Sequence, residues 1–301
     1  MQGLIIENIS NLYRIETEKG IYEANARGKF KKEEITPVVG DKVEIQILDK
    51  ENKKAVIEEI QERTTYIKRP KMSNITQLVL VVSSKNPKPD LLLLDKQLAF
   101  AEFLGIKEII VLNKTDLDKK KEFEKIKEVY QNIGYTVIET IAKDFEDIPE
   151  KSSIGIHNLE KYLKENINAF SGNSGVGKST LINAIFKDTI TQEGEISQRN
   201  KKGKNTTTST KLYEIDENTY IADTPGFSTF DISEIEYREL DKYFREFKPL
   251  LENCEFVGCT HIKEENCGIK QALQQGKIDS GRYERFCKIY EELKEKERYK
   301  W

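Results

Sequence analysis

The sequence predicts a multidomain protein: a small N-terminal β-barrel, a central doubly wound α/β domain, and a C-terminal helical segment built around a metal cluster. Three observations predict this architecture. Short strands of alternating polarity fill the first seventy residues, apolar strands alternate with helices through the middle, and cysteines cluster with a histidine near the end. A chain of 301 residues is long enough for two or three domains. We place the domains at residues 1–69, 70–232 and 233–301.

Residues 1–69 are expected to form a closed barrel of the OB type. Alternating apolar and polar side chains, typical of strands with one buried face, recur in several of its short runs. The runs are residues 4–6, 12–15, 21–24, 42–47 and 55–60. A segment between the third and fourth runs carries Arg27, Lys29, Phe30, Lys31 and Lys32. Barrels of this type bind RNA through basic and aromatic loops, so we favour a loop that faces nucleic acid over a solvated turn.

Residues 70–232 alternate between strands and helices, after a linker that Arg69 and Pro70 are expected to mark. Strands are predicted at residues 78–82, 108–112, 135–138, 211–215 and 219–222, and helices at 91–104, 117–133 and 181–186. This alternation is typical of a doubly wound α/β domain, whose ligands bind at the carboxyl ends of the strands.

The run from Gly172 to Ser179 fits the pattern Gly-x-x-x-x-Gly-Lys-Ser of a phosphate-binding loop. Glycines let backbone N–H groups turn towards phosphate oxygens at a helix N-terminus, where the helix dipole favours anions. Lys178 is expected to reach the β- and γ-phosphates, and Ser179 to offer its hydroxyl to Mg²⁺. A chance glycine-rich turn is the alternative, but the apolar helix that follows favours the phosphate loop.

Asn113, Lys114, Thr115 and Asp116 follow a predicted strand and match a guanine-reading Asn-Lys-x-Asp box. The Asp116 carboxylate can accept hydrogen bonds from guanine N1 and N2, a donor pair that adenine does not present. Asn113 is expected to pin the loop and contact N7, and the Lys114 stem to cover the purine face. Polar surface residues are the alternative, which the phosphate loop downstream disfavours. Residues 140–143 only partly match the Ser-Ala-Lys turn that normally follows the next strand.

The Asp-Thr-Pro-Gly run at residues 223–226 is expected to sense the third phosphate. Asp223 would bind Mg²⁺ through water, and the Gly226 amide would contact the γ-phosphate. In the polar stretch before it, Thr207 would complete the Mg²⁺ coordination when GTP is bound. A flexible loop is the alternative for this stretch, and the two are compatible because such segments become ordered only with GTP. Phe227 stands where many GTPases carry a glutamine that orients the attacking water. We therefore expect slow intrinsic hydrolysis and a partner that completes the site.

The order of these motifs is unusual, because the base-reading box precedes the phosphate loop and the Asp-Thr-Pro-Gly run comes last. In an ordinary GTPase the phosphate loop comes first and the base-reading box comes last. The sequence therefore predicts a circularly permuted GTPase domain. Permutation moves the chain ends, so a nucleotide-driven movement at residues 223–226 can pass directly to the C-terminal attachment.

Three cysteines and a histidine near the C-terminus have the spacing C-x4-C-x-H-x5-C: Cys254, Cys259, His261 and Cys267. Three thiolates and one imidazole form a complete tetrahedral set for one structural Zn²⁺ ion, without an open position for chemistry. Free cysteines beside an incidental histidine are the alternative. Cys287 is left over and is expected to be a core thiol. Because this segment has few apolar residues, chelation should unfold the C-terminal part and leave nucleotide affinity largely intact.

Bulk properties exclude several classes of protein. A net charge of −3 gives no argument for nucleic-acid binding by the whole chain, so any such surface must be local. We find no basic leader with a cleavage site and no apolar run of the roughly 18 residues that a membrane span needs. We therefore expect a cytoplasmic protein without a membrane partner, and a monomer, since nothing suggests an obligate dimer.

The motif order, set between an OB-type barrel and a Cys-Cys-His-Cys module, resembles the RsgA family of ribosome small subunit-dependent GTPases over essentially the whole chain. The resemblance implies a GTP hydrolase that acts late in 30S subunit maturation, binds 16S rRNA, is stimulated by the small subunit, and uses Zn²⁺ and Mg²⁺. The GTP-contacting positions that it carries over are Asn113, Lys114, Thr115, Asp116, Gly172, Asn173, Ser174, Gly175, Val176, Gly177, Lys178, Ser179 and Thr180.

Asn205 departs from the family, whose switch usually carries a histidine there, so a histidine-dependent activation step is not expected. Two other functions stay open. One is an RNA-binding assembly scaffold that uses GTP only as a ligand, which Phe227 and Asn205 favour. The other is a permuted GTPase that acts on the large subunit, which the barrel and the zinc module disfavour.

Overall fold

A computed structural model describes residues 1–32, 34–119, 121–142, 155–193, 210–223 and 232–298. For residues 31, 32 and 187–193 it describes the backbone only. Across the described ranges, no helix combines the length and the apolar character needed to cross a membrane.

The described ranges contain thirteen strands, seven α-helices and three 3₁₀ helices. The strands are β1 (Gln2–Ile9), β2 (Leu12–Thr17), β3 (Gly20–Ala26), β4 (Lys42–Asp49), β5 (Lys54–Ile60), β6 (Tyr66–Lys68), β7 (Lys71–Ser73), β8 (Gln77–Ser83), β9 (Lys107–Asn113), β10 (Thr136–Thr140), β11 (Ile167–Ser171), β12 (Lys211–Asp216) and β13 (Thr219–Asp223). The α-helices are α1 (Lys29–Lys32), α2 (Leu91–Leu104), α3 (Glu122–Ile133), α4 (Ile156–Leu163), α5 (Lys178–Glu193), α6 (Gly268–Gln274) and α7 (Ser280–Arg298). The 3₁₀ helices are Thr115–Leu117, Tyr237–Tyr243 and Lys248–Asn253.

The chain folds as two compact units that are interleaved along the sequence. The first comprises residues 1–79, 156–171 and 179–227, and the second comprises residues 80–155, 172–178 and 228–301. The base-reading box, most of the phosphate loop and the cysteine cluster therefore belong to the second unit.

Strands β1 to β5 of the first unit close into a small barrel, which confirms the predicted OB-like fold. The pairings run β1–β2–β3–β5–β4, and β4 returns to β1. The apolar positions predicted to face inward do so: Ile5, Ile15, Val43 and Ile57 are completely buried. Strand β1 also pairs with β12, through Glu7 and Lys211. The sheet of the barrel therefore continues into β12, β13 and β11.

The predicted linker at Arg69 and Pro70 is wrong, because these residues form the turn of the β6–β7 hairpin. Ile67 and Met72 face each other across this hairpin and are both buried. Two strands of three residues each carry too little periodicity to be read from sequence.

A buried aspartate joins this hairpin to the barrel. The Asp41 carboxylate, completely buried, accepts hydrogen bonds from Arg63 Nε at 2.7 Å and from Ser73 Oγ at 2.6 Å. A buried carboxylate is stable only with such partners. Residues 63–73 are therefore part of the folded first unit.

The aromatic part of the predicted nucleic-acid loop is also wrong, because Phe30 lies in α1 with only 5% of its surface exposed. Removing an apolar ring from water is favourable, and the short helix allows it here. Arg27 donates to Gln46 at 2.8 Å and pairs with Glu58. The segment can thus present basic groups, and it does not present Phe30 for base stacking.

In the second unit, β9 lies between β8 and β10 and runs parallel to β10. Strand β8 is buried along its whole length and β9 along all but its first residue, as expected for a sheet covered on both faces. This confirms the predicted doubly wound α/β arrangement.

Helix α3 begins at residue 122 rather than 117. The Asp118 carboxylate accepts hydrogen bonds from the Glu122 and Phe123 amides at 3.0 and 2.8 Å and caps the helix there.

Charged side chains attach the C-terminal helix α7 to α2. Asp95 of α2 is completely buried, and its carboxylate accepts hydrogen bonds from Arg282 Nη1 at 2.5 Å, Arg285 Nε at 2.5 Å and the Tyr130 hydroxyl at 2.6 Å. Arg282, only 1% exposed, also donates to Glu246 at 2.7 Å. The contact between these two helices therefore includes one ion pair, Asp95 with Arg282, that is almost completely shielded from water.

Candidate nucleotide site and zinc centre

The phosphate loop connects β11 to α5, and its backbone requires glycine at two positions. Gly172 has φ +139°, and a Cβ atom there would lie 2.2 Å from the Val81 carbonyl oxygen. Gly177 has φ +103°, and a Cβ atom there would lie 2.3 Å from Asn113 Nδ2. Any larger residue would displace a neighbouring strand or the base-reading box.

The Lys178 ammonium group lies over the loop that precedes it. Its Nζ atom donates hydrogen bonds to the Gly172 and Asn173 carbonyl oxygens at 2.6 and 3.0 Å. Burial lowers the pKa of Lys178. Phosphate oxygens bound in the loop would give this ammonium group a negatively charged partner. Lys178 is therefore suited to bind phosphate.

Asn113 ends β9 and joins three segments. Its side chain is completely buried: Nδ2 donates to the Val176 carbonyl at 2.9 Å, and Oδ1 accepts from Thr140 Oγ1 at 3.0 Å and from the Ala142 amide at 3.3 Å. These hydrogen bonds connect the predicted base-reading box both to the predicted phosphate loop and to the turn after β10. That turn was recognised only partly from its sequence, and its Lys143 lies outside the described residues.

Lys114 makes a second link between the two motifs. With a left-handed backbone (φ +62°), it directs Nζ to the Gly175 carbonyl at 2.6 Å and to the Asn86 carbonyl at 2.6 Å. Its side chain therefore crosses from the base-reading box to the phosphate loop, the position from which a lysine stem could cover a purine.

Asp116 lies in the 3₁₀ helix Thr115–Leu117, directly after β9, with its side chain exposed. Thr115 Oγ1 lies 3.4 Å from the Thr140 carbonyl oxygen. An exposed carboxylate beside an anchored loop can accept hydrogen bonds from a ligand without first breaking a buried network. The sequence argument for Asp116 is compatible with this position.

Asp90 was missed by the sequence argument although it contacts the phosphate loop. Its Oδ1 accepts a hydrogen bond from the Leu93 amide at 2.9 Å, which caps α2, and its Oδ2 accepts one from Asn173 Nδ2 at 3.0 Å. An aspartate before a leucine-rich helix is a readable N-cap signal, but its second partner is 83 positions away in the chain.

Asp223 is the last residue of β13 and is exposed. It follows Ala222, which pairs with Ala169 of the parallel strand β11. Asp223 thus stands at the carboxyl end of its strand, as expected for a ligand-binding residue of this fold. Ser179 and Thr180 lie in the first turn of α5. The predicted residues Thr207 and Gly226, as well as Asn205 and Phe227, lie outside the described residues.

The four predicted zinc ligands are gathered in one place, with their ligand atoms within 4.8 Å of one another. Cys254 Sγ lies 4.0 Å from Cys267 Sγ and 3.6 Å from His261 Nδ1. Cys267 Sγ and His261 Nδ1 are 3.3 Å apart. A tetrahedral Zn²⁺ with Zn–S bonds of about 2.3 Å holds its sulfur ligands roughly 3.8 Å apart. Cys254, Cys259, His261 and Cys267 therefore form a possible zinc site.

The surroundings of the cluster also suit a metal. Burial raises the pKa of Cys259 to about 12 and raises that of Cys267, so these thiols need a bound cation to lose their protons at neutral pH. His261 Nε2 lies 3.2 Å from Asp241 Oδ2, which leaves Nδ1 to face the sulfur atoms. A carboxylate behind a histidine ligand orients the ring and raises its basicity. Cys287 is half-buried on α7, so the expectation of a core thiol is wrong.

Asp241→Ala is expected to weaken zinc affinity by about 10- to 100-fold, because His261 loses the carboxylate that orients its ring. Competition with a chromogenic chelator on the full chain measures this change. Glu239→Ala, a half-exposed position of the same 3₁₀ helix, is the control and should leave zinc affinity unchanged. Equal zinc affinity in the two variants would show that Asp241 does not support the ligand.

Two family models match the chain over residues 2–57 and 60–233. Residues 60–233 match the family model described as RsgA GTPase, and residues 2–57 match the RsgA N-terminal domain. The prediction from motif order is therefore confirmed.

Individual relatives cover the whole length. The small ribosomal subunit biogenesis GTPase RsgA of Alkaliphilus metalliredigens is 38% identical over 99% of each chain, and that of Clostridium novyi is 40% identical over 100% of each. Among solved structures, YjeQ from Thermotoga maritima has 34% identity and a TM-score of 0.82, covering 97% of this chain and 98% of its own. YloQ, described as a circularly permuted GTPase, has 32% identity and a TM-score of 0.79, covering 98% and 95%. The permuted order of the domain is thereby confirmed as well.

Proposed function

Because this chain belongs to the RsgA GTPase family and is a GTP hydrolase, we propose that it acts in the biogenesis of the small ribosomal subunit. In this proposal it binds 16S rRNA on the immature 30S particle and hydrolyses GTP faster when that particle is present. Support comes from the full-length relatives, which are named as small ribosomal subunit biogenesis GTPases.

The observation that carries the nucleotide part of the proposal is the junction between two motifs about sixty residues apart in the chain. Asn113 bonds to Val176, and Lys114 bonds to Gly175, over separations of 63 and 61 residues. These contacts support the assignment of residues 113–116 and 172–179 to one nucleotide site. One ligand with a purine at one end and phosphates at the other could contact both ranges.

The proposed roles follow from this arrangement. Asp116 would accept hydrogen bonds from guanine, with Asn113 positioning the loop and the Lys114 stem covering the base. Lys178 would exchange its carbonyl partners for phosphate oxygens, and the amides of residues 172–180 would surround the phosphates. Ser179, Asp223 and Thr207 would hold the Mg²⁺ that accompanies GTP and neutralises charge on the phosphates, and the Gly226 amide would contact the γ-phosphate.

Slow hydrolysis by the isolated protein is part of the proposal. Phe227 has no group that can accept a hydrogen bond from the attacking water, and Asn205 replaces the histidine usual in the family switch. A group supplied by a partner can accelerate such reactions strongly. The small subunit is the partner proposed here, and the cytoplasm is the compartment in which a monomer would meet it.

The same proposal divides the chain into three domains, at residues 1–69, 70–232 and 233–301. The second matched range ends at residue 233, which supports the boundary at 232, and the first, 2–57, lies within the first domain. The barrel would bind 16S rRNA through basic side chains such as Arg27 and Lys29, by contacts to phosphates rather than by stacking on Phe30.

Measurement of phosphate release with and without ribosomal subunits tests this function. We expect slow turnover alone, an increase of about 10³-fold or more with 30S subunits because they supply the missing group, and little change with 50S subunits. Turnover at tens per second without any subunit would contradict the proposal. Binding to 30S subunits without any stimulation would instead favour an assembly scaffold that uses GTP only as a ligand.

A further inference from the structure

The loop between the first two zinc ligands ends in exposed apolar side chains. We define the zinc-loop apex as residues 255–258, which lie between Cys254 and Cys259. Phe256 has 57% of its surface exposed, and Val257 is as exposed as in an extended chain, at 108%. Among the described residues, these are the only two sequence neighbours that are both large, apolar and exposed. An isolated exposed apolar residue is common, whereas an adjacent pair on one loop indicates a contact surface.

The zinc-loop apex is held in shape by its surroundings. The Glu255 amide donates to the Asn266 carbonyl at 3.2 Å, and the Cys259 amide donates to the Phe256 carbonyl at 3.3 Å. Asn266 Nδ2 also donates to the Glu255 carboxylate at 2.7 Å. With a zinc ligand at each end, the loop would lose little conformational entropy when its tip is bound. A preorganised aromatic side chain is the kind of group that dominates binding energy at protein interfaces.

The charge near the zinc-loop apex identifies the class of partner. Four glutamates and two lysines occur between residues 251 and 270. The exposed charged residues are three glutamates and one lysine: Glu252, Glu255, Glu265 and Lys263. The other lysine, Lys270, donates a hydrogen bond to the Glu264 backbone carbonyl at 2.8 Å, so negative charge is in excess. Carboxylates beside the tip repel a phosphate backbone and attract a cationic surface. RNA is therefore disfavoured here, and a basic protein with an apolar pocket is favoured.

We propose that the zinc-loop apex docks Phe256 and Val257 into an apolar pocket on a basic protein of the small ribosomal subunit. This inference rests on the proposed function, because it names a protein contact on the particle that the chain is proposed to bind. It differs from that function in assigning the contact to protein rather than to 16S rRNA. Because the flanking glutamates are negatively charged, the surface around the partner's pocket must be positively charged.

The test compares binding of the full-length, zinc-loaded chain to 30S subunits and to protein-free 16S rRNA. In the double variant Phe256→Ser/Val257→Ser, the dissociation constant for 30S subunits is expected to rise by about 10- to 100-fold, as for loss of an aromatic anchor. Affinity for protein-free 16S rRNA, zinc content and basal GTP hydrolysis should stay unchanged. Tyr162→Ser, at a 45% exposed position of α4, is the matched control and should bind 30S subunits as the parent does.

Each other outcome overturns the inference. Unchanged affinity for 30S subunits would show that the apex makes no contact, and an equal loss with protein-free 16S rRNA would show that it contacts RNA. Both results leave the proposed function in place, because the parent chain still binds the subunit. If the parent chain itself did not bind 30S subunits, the proposed function and the docking site would both be wrong.

Discussion

Asp116→Asn is expected to change the base preference of this GTPase from guanine to xanthine. The carboxylate at this position would accept two hydrogen bonds from guanine, and each such bond to a charged group contributes about 1.5–3 kcal/mol. Loss of the pair should therefore weaken GDP binding by roughly 10²-fold or more. Asparagine presents an N–H group in place of one oxygen, which suits the extra carbonyl of xanthine. Displacement of a fluorescent nucleotide by GDP, XDP and ADP measures all three affinities.

The control for this change is Glu124→Gln, which removes a carboxylate from the first turn of α3. It should leave all three affinities unchanged, because its side chain is exposed and forms an ion pair with Lys121. An Asp116→Asn variant that binds GDP as tightly as the parent would refute the assignment of Asp116 as the base reader. The buried contacts of Asn113 would then need another explanation.

Asp95→Asn is expected to destabilise the chain by about 3 kcal/mol, the largest effect on stability that we predict. The substitution removes a negative charge that is shared by Arg282 and Arg285, and leaves two guanidinium groups in a buried site with one carboxylate fewer. Breaking a buried ion pair from one side typically costs about 3–5 kcal/mol. Glu246 remains as a partner of Arg282 and keeps the cost at the lower end. The midpoint of urea unfolding and the rate of proteolysis within α7 measure the effect.

Lys96→Met is the matched control, because it breaks another ion pair between the same two helices. Lys96 and Glu292 are 20% and 44% exposed, and such exposed pairs contribute at most about 1 kcal/mol. A shift of the unfolding midpoint that is equal in the two variants would show that burial of the charges is not what makes the α2–α7 contact strong.

The chemistry of the site was readable from sequence wherever it depends on a short run of residues. The phosphate loop needs glycine at positions 172 and 177, and the structure shows the carbonyl and amide groups that exclude a side chain there. The zinc cluster needs four ligands within one short segment, and their spacing alone identified them. The order of the motifs was enough to predict the permuted domain.

Features that depend on distant partners were not readable. Nothing near Asp95 in the sequence indicates that Arg282, 187 positions away, will cover it. Phe30 is a residue whose role was predicted wrongly from its neighbours. An aromatic residue among lysines suggests an exposed stacking surface, but its ring is buried. The role of Asp241 behind His261 also appears only when the two segments have folded together.

The sequence by itself determined which chemical groups this GTPase carries and in what order, because glycine freedom, metal-ligand spacing and hydrophobic periodicity are local properties of a chain. Only the tertiary structure decided which of those groups meet. Hydrogen bonds and ion pairs act over a few ångströms, and whether Asn113 reaches Val176 or Asp95 reaches Arg282 depends on packing of the whole unit.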